Sequence, residues 1–150
     1  MLAIIGGSPE RFAPFSGLFQ RALDSFGRPS LPVGVHSPGH LAATDEQARE
    51  EFWPRWLEVI SRMAATRGFA IPTPASFARE VGPEGALYVG SPETVAQKIA
   101  ANLTALNATR FDLKYGMVGL SQDSLKRNHC VRQDVGTKAR SCPVRPLPGA

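Results

Sequence analysis

The residues best suited to chemistry are a histidine and two glycine-serine turns. His36 follows the apolar run Leu31-Pro32-Val33-Gly34-Val35, at the expected carboxyl end of a strand. An imidazole there could hydrogen-bond a ligand or act as general acid or base, and the plainer alternative is a packed histidine satisfied by a loop carbonyl. His40 is expected on the loop that follows, with a weaker claim. Gly6-Gly7-Ser8 could cradle a phosphate on free backbone amides, or could simply make a tight turn. Gly90-Ser91-Pro92 poses the same choice, and there Glu93 would repel an anion. Asp112 and Lys114 alternate on one strand face, where they could reach a pocket but are more simply expected to form a structural ion pair across the interior. Trp53, Trp56 and the stripe Phe12, Phe15, Phe19 read as helix faces packing on a sheet, without chemistry. No P-loop, Gly-x-Gly-x-x-Gly or His-Glu-x-x-His pattern occurs, nor a plausible Ser/His/Asp order. Catalytic residues proper stay unassigned.

The elements that must position these residues follow from a repeated tetrapeptide. Gly-Ser-Pro-Glu stands at 7–10 and again at 90–93, each time after a short apolar run and before a stretch of helical periodicity. Gly permits a sharp turn off a strand and Ser can cap free helix amides. Pro suits the first helical position, and Glu complements the positive helix end. A strand entering a helix this way is the βα unit of α/β proteins, whose ligands gather at the carboxyl ends of the strands. Strands are expected at 2–5, 31–36, 86–89 and 110–115, with Ser37-Pro38-Gly39 breaking the second. Helices are expected at 9–26, disturbed by Pro14, at 44–68 behind the capping box Thr44 to Gln47 and kinked by Pro54, at 74–81, and from 92 to about 106. Residues 69–85, rich in Pro and Gly, form a long excursion of the kind that often serves function. Three or four strand-then-helix units without a hairpin signal define an α/β fold with parallel strands, expected to carry helices on one side. They are too few to close a (β/α)₈ barrel of about 250 residues.

Composition narrows the class. The 150 residues are 43% hydrophobic and contain no apolar run of about 18, so neither a membrane span nor a membrane partner is expected. No secretory leader is visible, and a cytoplasmic location is expected. Residues 1–119 hold eleven basic and eleven acidic side chains; residues 120–150 hold six and two, which accounts for the net charge of +4. The basic excess therefore belongs to an irregular tail, and nucleic acid is not an expected partner. Cys130 and Cys142, even with His129, are too few for a disulfide framework or a metal site, and no metal is expected.

Several segments, in order, resemble luciferase-like flavin-dependent oxidoreductases. They are Leu2 to Phe12, Pro32 to Ser37, the acidic opening Thr44 to Phe52, Leu87 to Ile99, and Arg110 to Tyr115. The resemblance implies a partial luciferase-like barrel domain over 1–119, matching the C-terminal portion of a (β/α)₈ barrel, followed by the tail 120–150. It implies a monooxygenase or other oxidoreductase with FMN or a deazaflavin, supplied reduced, and a small organic substrate, with dioxygen as oxidant in many members. Gly6, Gly7, Ser8 and His36 are then the residues expected at the cofactor. With the earlier barrel strands absent, the chain reads as a fragment, expected to be inactive and to bind FMN weakly or not at all by itself. A second copy or a complementing chain is the expected partner. The alternatives are a non-catalytic remnant and a small α/β phosphate-binding module.

Overall fold

The computed structural model describes residues 1–68, 70–116 and 119–126. Cys130, Cys142, His129 and most of the tail lie outside the described residues. The elements are β1 (Leu2–Ala3), a 3₁₀ turn (Pro9–Phe12), α1 (Ala13–Ser25), β2 (Gly34–Leu41), α2 (Asp45–Arg67), α3 (Pro74–Val81), β3 (Tyr88–Gly90), α4 (Pro92–Ala105) and β4 (Arg110–Lys114). Every strand pairing is parallel. The α/β class and parallel sheet expected from the sequence are both present.

β2 is the hub. Val35 pairs with Leu2 of β1 and with Phe111 of β4, so these two strands flank β2 on opposite edges. β3 pairs only with Gly39–Leu41, leaving Gly34–Pro38 for β4. The sheet therefore does not follow chain order beyond β3.

The expected break at Ser37-Pro38-Gly39 is instead the middle of β2, and each residue has a reason to be there. Ser37 donates its hydroxyl to the Ile4 carbonyl at 2.8 Å. Pro38 still takes its place opposite Lys114. A side chain on Gly39 would collide with the Tyr88 carbonyl and with Leu113, so glycine is what lets β3 and β4 close on β2. Local turn chemistry misled here because tertiary partners outweigh it.

The helices depart from expectation in one informative place. The first does not run unbroken from Pro9: a 3₁₀ turn comes first and the α-helix begins at Ala13. Pro14 has no amide to give the Glu10 carbonyl and its ring crowds that group, so an α-helical turn cannot form there. The Ala13 amide bonds the Glu10 carbonyl instead, in the tighter 3₁₀ pattern. α2 continues through Pro54 for 23 residues, opened by Thr44 accepting from the Gln47 amide and closed by Gly68 at φ +69°. The capping box at its start is only half formed, because Gln47 donates its side chain to Glu51 instead.

Helices cover both faces of β3, where one covered side was expected. Leu87 and Val89 pack with Phe52, Ala48, Phe77 and Val81 of α2 and α3, whereas Tyr88 packs with Val95, Ala96 and Ile99 of α4. A third cluster joins Ile4, Val35, Ala86 and Leu106, with Phe12 against it. Phe15 and Phe19 do not pack on the sheet as expected; they are 59% and 42% exposed. With the 3₁₀ turn placed first, Phe12 packs partly buried against that third cluster, while Phe15 and Phe19 on α1 stay uncovered.

Candidate functional site

A cavity of about 830 Å³ opens over the carboxyl ends of β1 and β4. Its floor is the sheet: Ile5 and Gly6 just beyond β1, His36 and Pro38 from β2, Lys114 and Gly116 at the end of β4. One wall is α2, through Trp56, Val59, Ile60 and Met63. The opposite wall is the segment 70–73 with Ser76, Phe77 and Glu80 of α3. Register explains the floor. His36 stands opposite Asp112 and Pro38 opposite Lys114, so alternate residues of two neighbouring strands face the same way.

The lining is chiefly apolar, which suits a flat or extended organic molecule held by burial. The aromatic wall is built by stacking: Phe52 lies 5.9 Å from Trp56 and 6.4 Å from Phe77, and Trp53 lies 4.9 Å from Phe77. Thr73 and Ser76 exchange hydrogen bonds in a complete capping box at the head of α3, which fixes that wall and leaves little of their polarity to a ligand. His36 is half-buried, and its imidazole has no hydrogen-bond partner among the described residues.

Glu80 is the tie beneath the cavity. Its carboxylate accepts from the Gly7 amide at 3.2 and 3.3 Å and from the Ala86 amide at 3.1 Å. Its carbonyl accepts from Leu87. Gly85 must be glycine because a Cβ there would overlap the Glu80 backbone. Lys98, reaching in from α4, donates to the carbonyls of Gly82 at 2.5 Å, Leu87 at 2.8 Å, Val81 at 3.1 Å and Glu80 at 3.4 Å. Burial pulls the Lys98 ammonium down to about 8, with the Glu80 charge acting the other way. Tyr88, 5.0 Å beneath that ammonium, is pushed up by burial, against a 2.7 Å hydrogen bond from Asn102.

The expected site residues divide. Gly6 and His36 line the cavity. Gly7 adjoins it at φ +75°, but its amide is already given to Glu80. Ser8 precedes the 3₁₀ turn and makes no side-chain cap. His40 is on β2, not on a loop: it is fully buried, bonded to Glu51 at 2.8 Å and stacked on Phe52. Asp112 pairs with Arg110 at 2.9 Å and not with Lys114, which faces the cavity instead. At Gly90-Ser91-Pro92, Asp45 takes the Ser91 amide at 2.6 Å and the Thr94 hydroxyl at 2.9 Å. At each glycine-serine turn one backbone amide, that of Gly7 or of Ser91, is thus taken by a carboxylate of the chain itself. Sequence reasoning missed Trp56, Phe77 and Glu80. The length and composition of the 69–85 excursion signalled a functional segment, and part of that segment forms the wall.

Among the described residues no group of three or more metal-ligating side chains converges, and no helix is long and apolar enough to cross a membrane. No protein-family model and no curated sequence matches the chain. Solved structures do. Monooxygenase RslO1 from Streptomyces bottropensis superposes with a TM-score of 0.67 at 16% identity, over 89% of this chain and 39% of that one. The oxygenating constituent of 3,6-diketocamphane monooxygenase from Pseudomonas putida, in complex with FMN, gives 0.66 at 18% identity over 95% and 43%. EDTA monooxygenase from Chelativorans sp. BNC1 gives 0.54 at 18% identity over 96% and 43%. The chain spans about two-fifths of the length of each. The resemblance to luciferase-like flavin-dependent monooxygenases is thereby shown at the level of the fold.

Proposed function

We propose that this chain belongs to the working part of a flavin-dependent oxidoreductase, a monooxygenase of luciferase-like type acting on a small organic substrate. The observation that carries the reading is the apolar cavity at the strand ends with an uncommitted imidazole on its floor. Redox chemistry would come from a bound flavin: with reduced FMN and dioxygen, one oxygen atom would pass to the substrate and the other would leave as water, whereas a deazaflavin would support hydride transfer without oxygen. The chain's own residues would bind and orient. Trp56, Ile60, Met63 and Phe77 offer apolar and aromatic surface to a flat ring and keep water from it. His36 can donate or accept one hydrogen bond at the ring or the substrate.

The fit is uneven. The ring finds a matching surface, but a phosphate finds neither glycine-serine turn free. The same two carboxylates count against a phosphate-binding module. A remnant without chemistry is the second reading.

Flavin titration tests the proposal. The purified chain should quench flavin fluorescence with a Kd of about 0.1 mM, corresponding to about −5.5 kcal/mol. Trp56→Ala should weaken this about tenfold through lost stacking and burial, and His36→Ala less. No quenching at millimolar chain would defeat the flavin reading.

A further inference from the structure

The cavity serves a flavin's ring and its phosphate unequally, and on the flavin reading this bears on which form of flavin it takes. We infer that the cavity recognises a flavin by its ring and not by its phosphate, so that FMN has no advantage over its dephosphorylated form. Three observations lead there. The turn beside the cavity that could have presented amides to a phosphate is closed by Glu80, whose carboxylate takes the Gly7 amide and also lines the cavity. The other such turn is closed by Asp45, which holds the Ser91 amide at 2.6 Å. Lys98, the buried cation nearest to Glu80 in the network, spends its donors on four carbonyls.

The charges that face a ligand are then Glu80 and Lys114, one of each sign, with His36 beside them. Lys114 is exposed and is the one lysine or arginine on the cavity lining among the described residues. Arg11 comes near Gly7, its Nη1 3.3 Å from where a Cβ would stand, but it does not line the cavity. A phosphate dianion entering this cavity meets one charge of each sign, attraction from Lys114 and repulsion from Glu80. The affinity must therefore come from the ring against Trp56 and Phe77.

The wild-type full chain is titrated with riboflavin and with FMN under identical salt, following fluorescence quenching. The two dissociation constants should agree within about threefold, or favour riboflavin. Glu80→Gln, which removes the negative charge but keeps an amide oxygen to accept from Gly7, should tighten FMN relative to riboflavin by about fivefold, as removing a like charge from beside a dianion does in water-like surroundings. Lys114→Met should shift the ratio the opposite way. Both shifts should shrink at high salt, as through-solvent charge effects do. FMN binding tenfold or more tighter than riboflavin to the wild type would overturn this inference and leave the flavin reading standing. Failure of both flavins to bind would overturn the flavin reading and this inference together. The wild-type comparison needs no variant to fold, so a misfolded Glu80→Gln protein would not shield the idea.

Discussion

At Gly90-Ser91-Pro92-Glu93 the Ser91 hydroxyl accepts from the Thr94 amide at 3.3 Å, and a 14-residue α-helix begins at once. At Gly7-Ser8-Pro9-Glu10 the Ser8 hydroxyl caps nothing, and four residues of 3₁₀ geometry come before any α-helix. Both copies turn the chain off a strand, and both receive a carboxylate from a distant segment, Glu80 at the first and Asp45 at the second. They part in the helices they lead into. After the second copy Val95, Ala96 and Ile99 enter the core, while after the first Phe15, Leu18 and Phe19 stay exposed. A four-residue signal thus specifies a turn, and residues beyond it decide whether the turn becomes an anchored helix.

The largest effect should come from truncating one apolar residue on each helix. Ile99 is 5% exposed against Leu41 and Tyr88, so Ile99→Ala should cost about 3 kcal/mol. Phe19→Ala removes a larger side chain yet should cost less than about 0.5 kcal/mol, the usual limit for surface positions. Urea midpoints of the full-length variants measure both. Equal losses would mean that α1 is anchored as firmly as α4 and would end the contrast.

A second effect isolates the bolt that α4 possesses and α1 lacks. Lys98→Met takes a donor from four carbonyls, of which Glu80 keeps the Leu87 amide and Gly82 the Gly85 amide, and should destabilise by about 2 kcal/mol at pH 7. Its pH dependence has a definite sign. Burial lowers the folded value from 10.5 to about 8, so between these values the unfolded chain holds a proton that the folded chain has released. Stability rises with pH wherever the unfolded state binds more protons. The margin of wild type over Lys98→Met should therefore widen as pH climbs from about 8 to 10.5. A narrowing margin would show that the four carbonyls hold the charge more strongly than burial opposes it.

What could be read from the residues divides along the same line. The α3 boundaries, the Gly68 stop, the Ser91 cap and the parallel α/β class were legible because each rests on local chemistry or simple periodicity. β2 was not, because Ser37-Pro38-Gly39 looks like a turn until Ile4, Lys114, Tyr88 and Leu113 surround it. Of the site, Gly6 was legible from its place just beyond a strand, whereas His36 was chosen for a strand end that the structure replaces with the interior of β2. Glu80 was not, since nothing near it in sequence predicts that its carboxylate bonds Gly7, 73 residues away. His40 was misplaced for the same reason: its partner Glu51 lies on the next helix.

The smallest effect bears on the tetrapeptide itself. Ser91→Ala removes a hydroxyl that accepts an otherwise unpaired helix amide, and such caps are worth about 1 kcal/mol. Ser8→Ala removes a hydroxyl that accepts none, and should change stability by less than about 0.5 kcal/mol. Pro14 is the cause assigned to that difference, because it denies the Glu10 carbonyl an α-helical partner. Pro14→Ala should then let α-helix extend back toward Pro9 and create a free amide at Arg11 for Ser8 to cap. In that background Ser8→Ala should acquire a cost of about 1 kcal/mol, like its counterpart at position 91. The coupling is read from a four-variant cycle of urea midpoints, with far-ultraviolet circular dichroism reporting the added helix. If Ser8→Ala stays neutral after Pro14→Ala, then Pro14 is not what separates the two copies, and the hold of Glu80 on Gly7 takes its place as the cause.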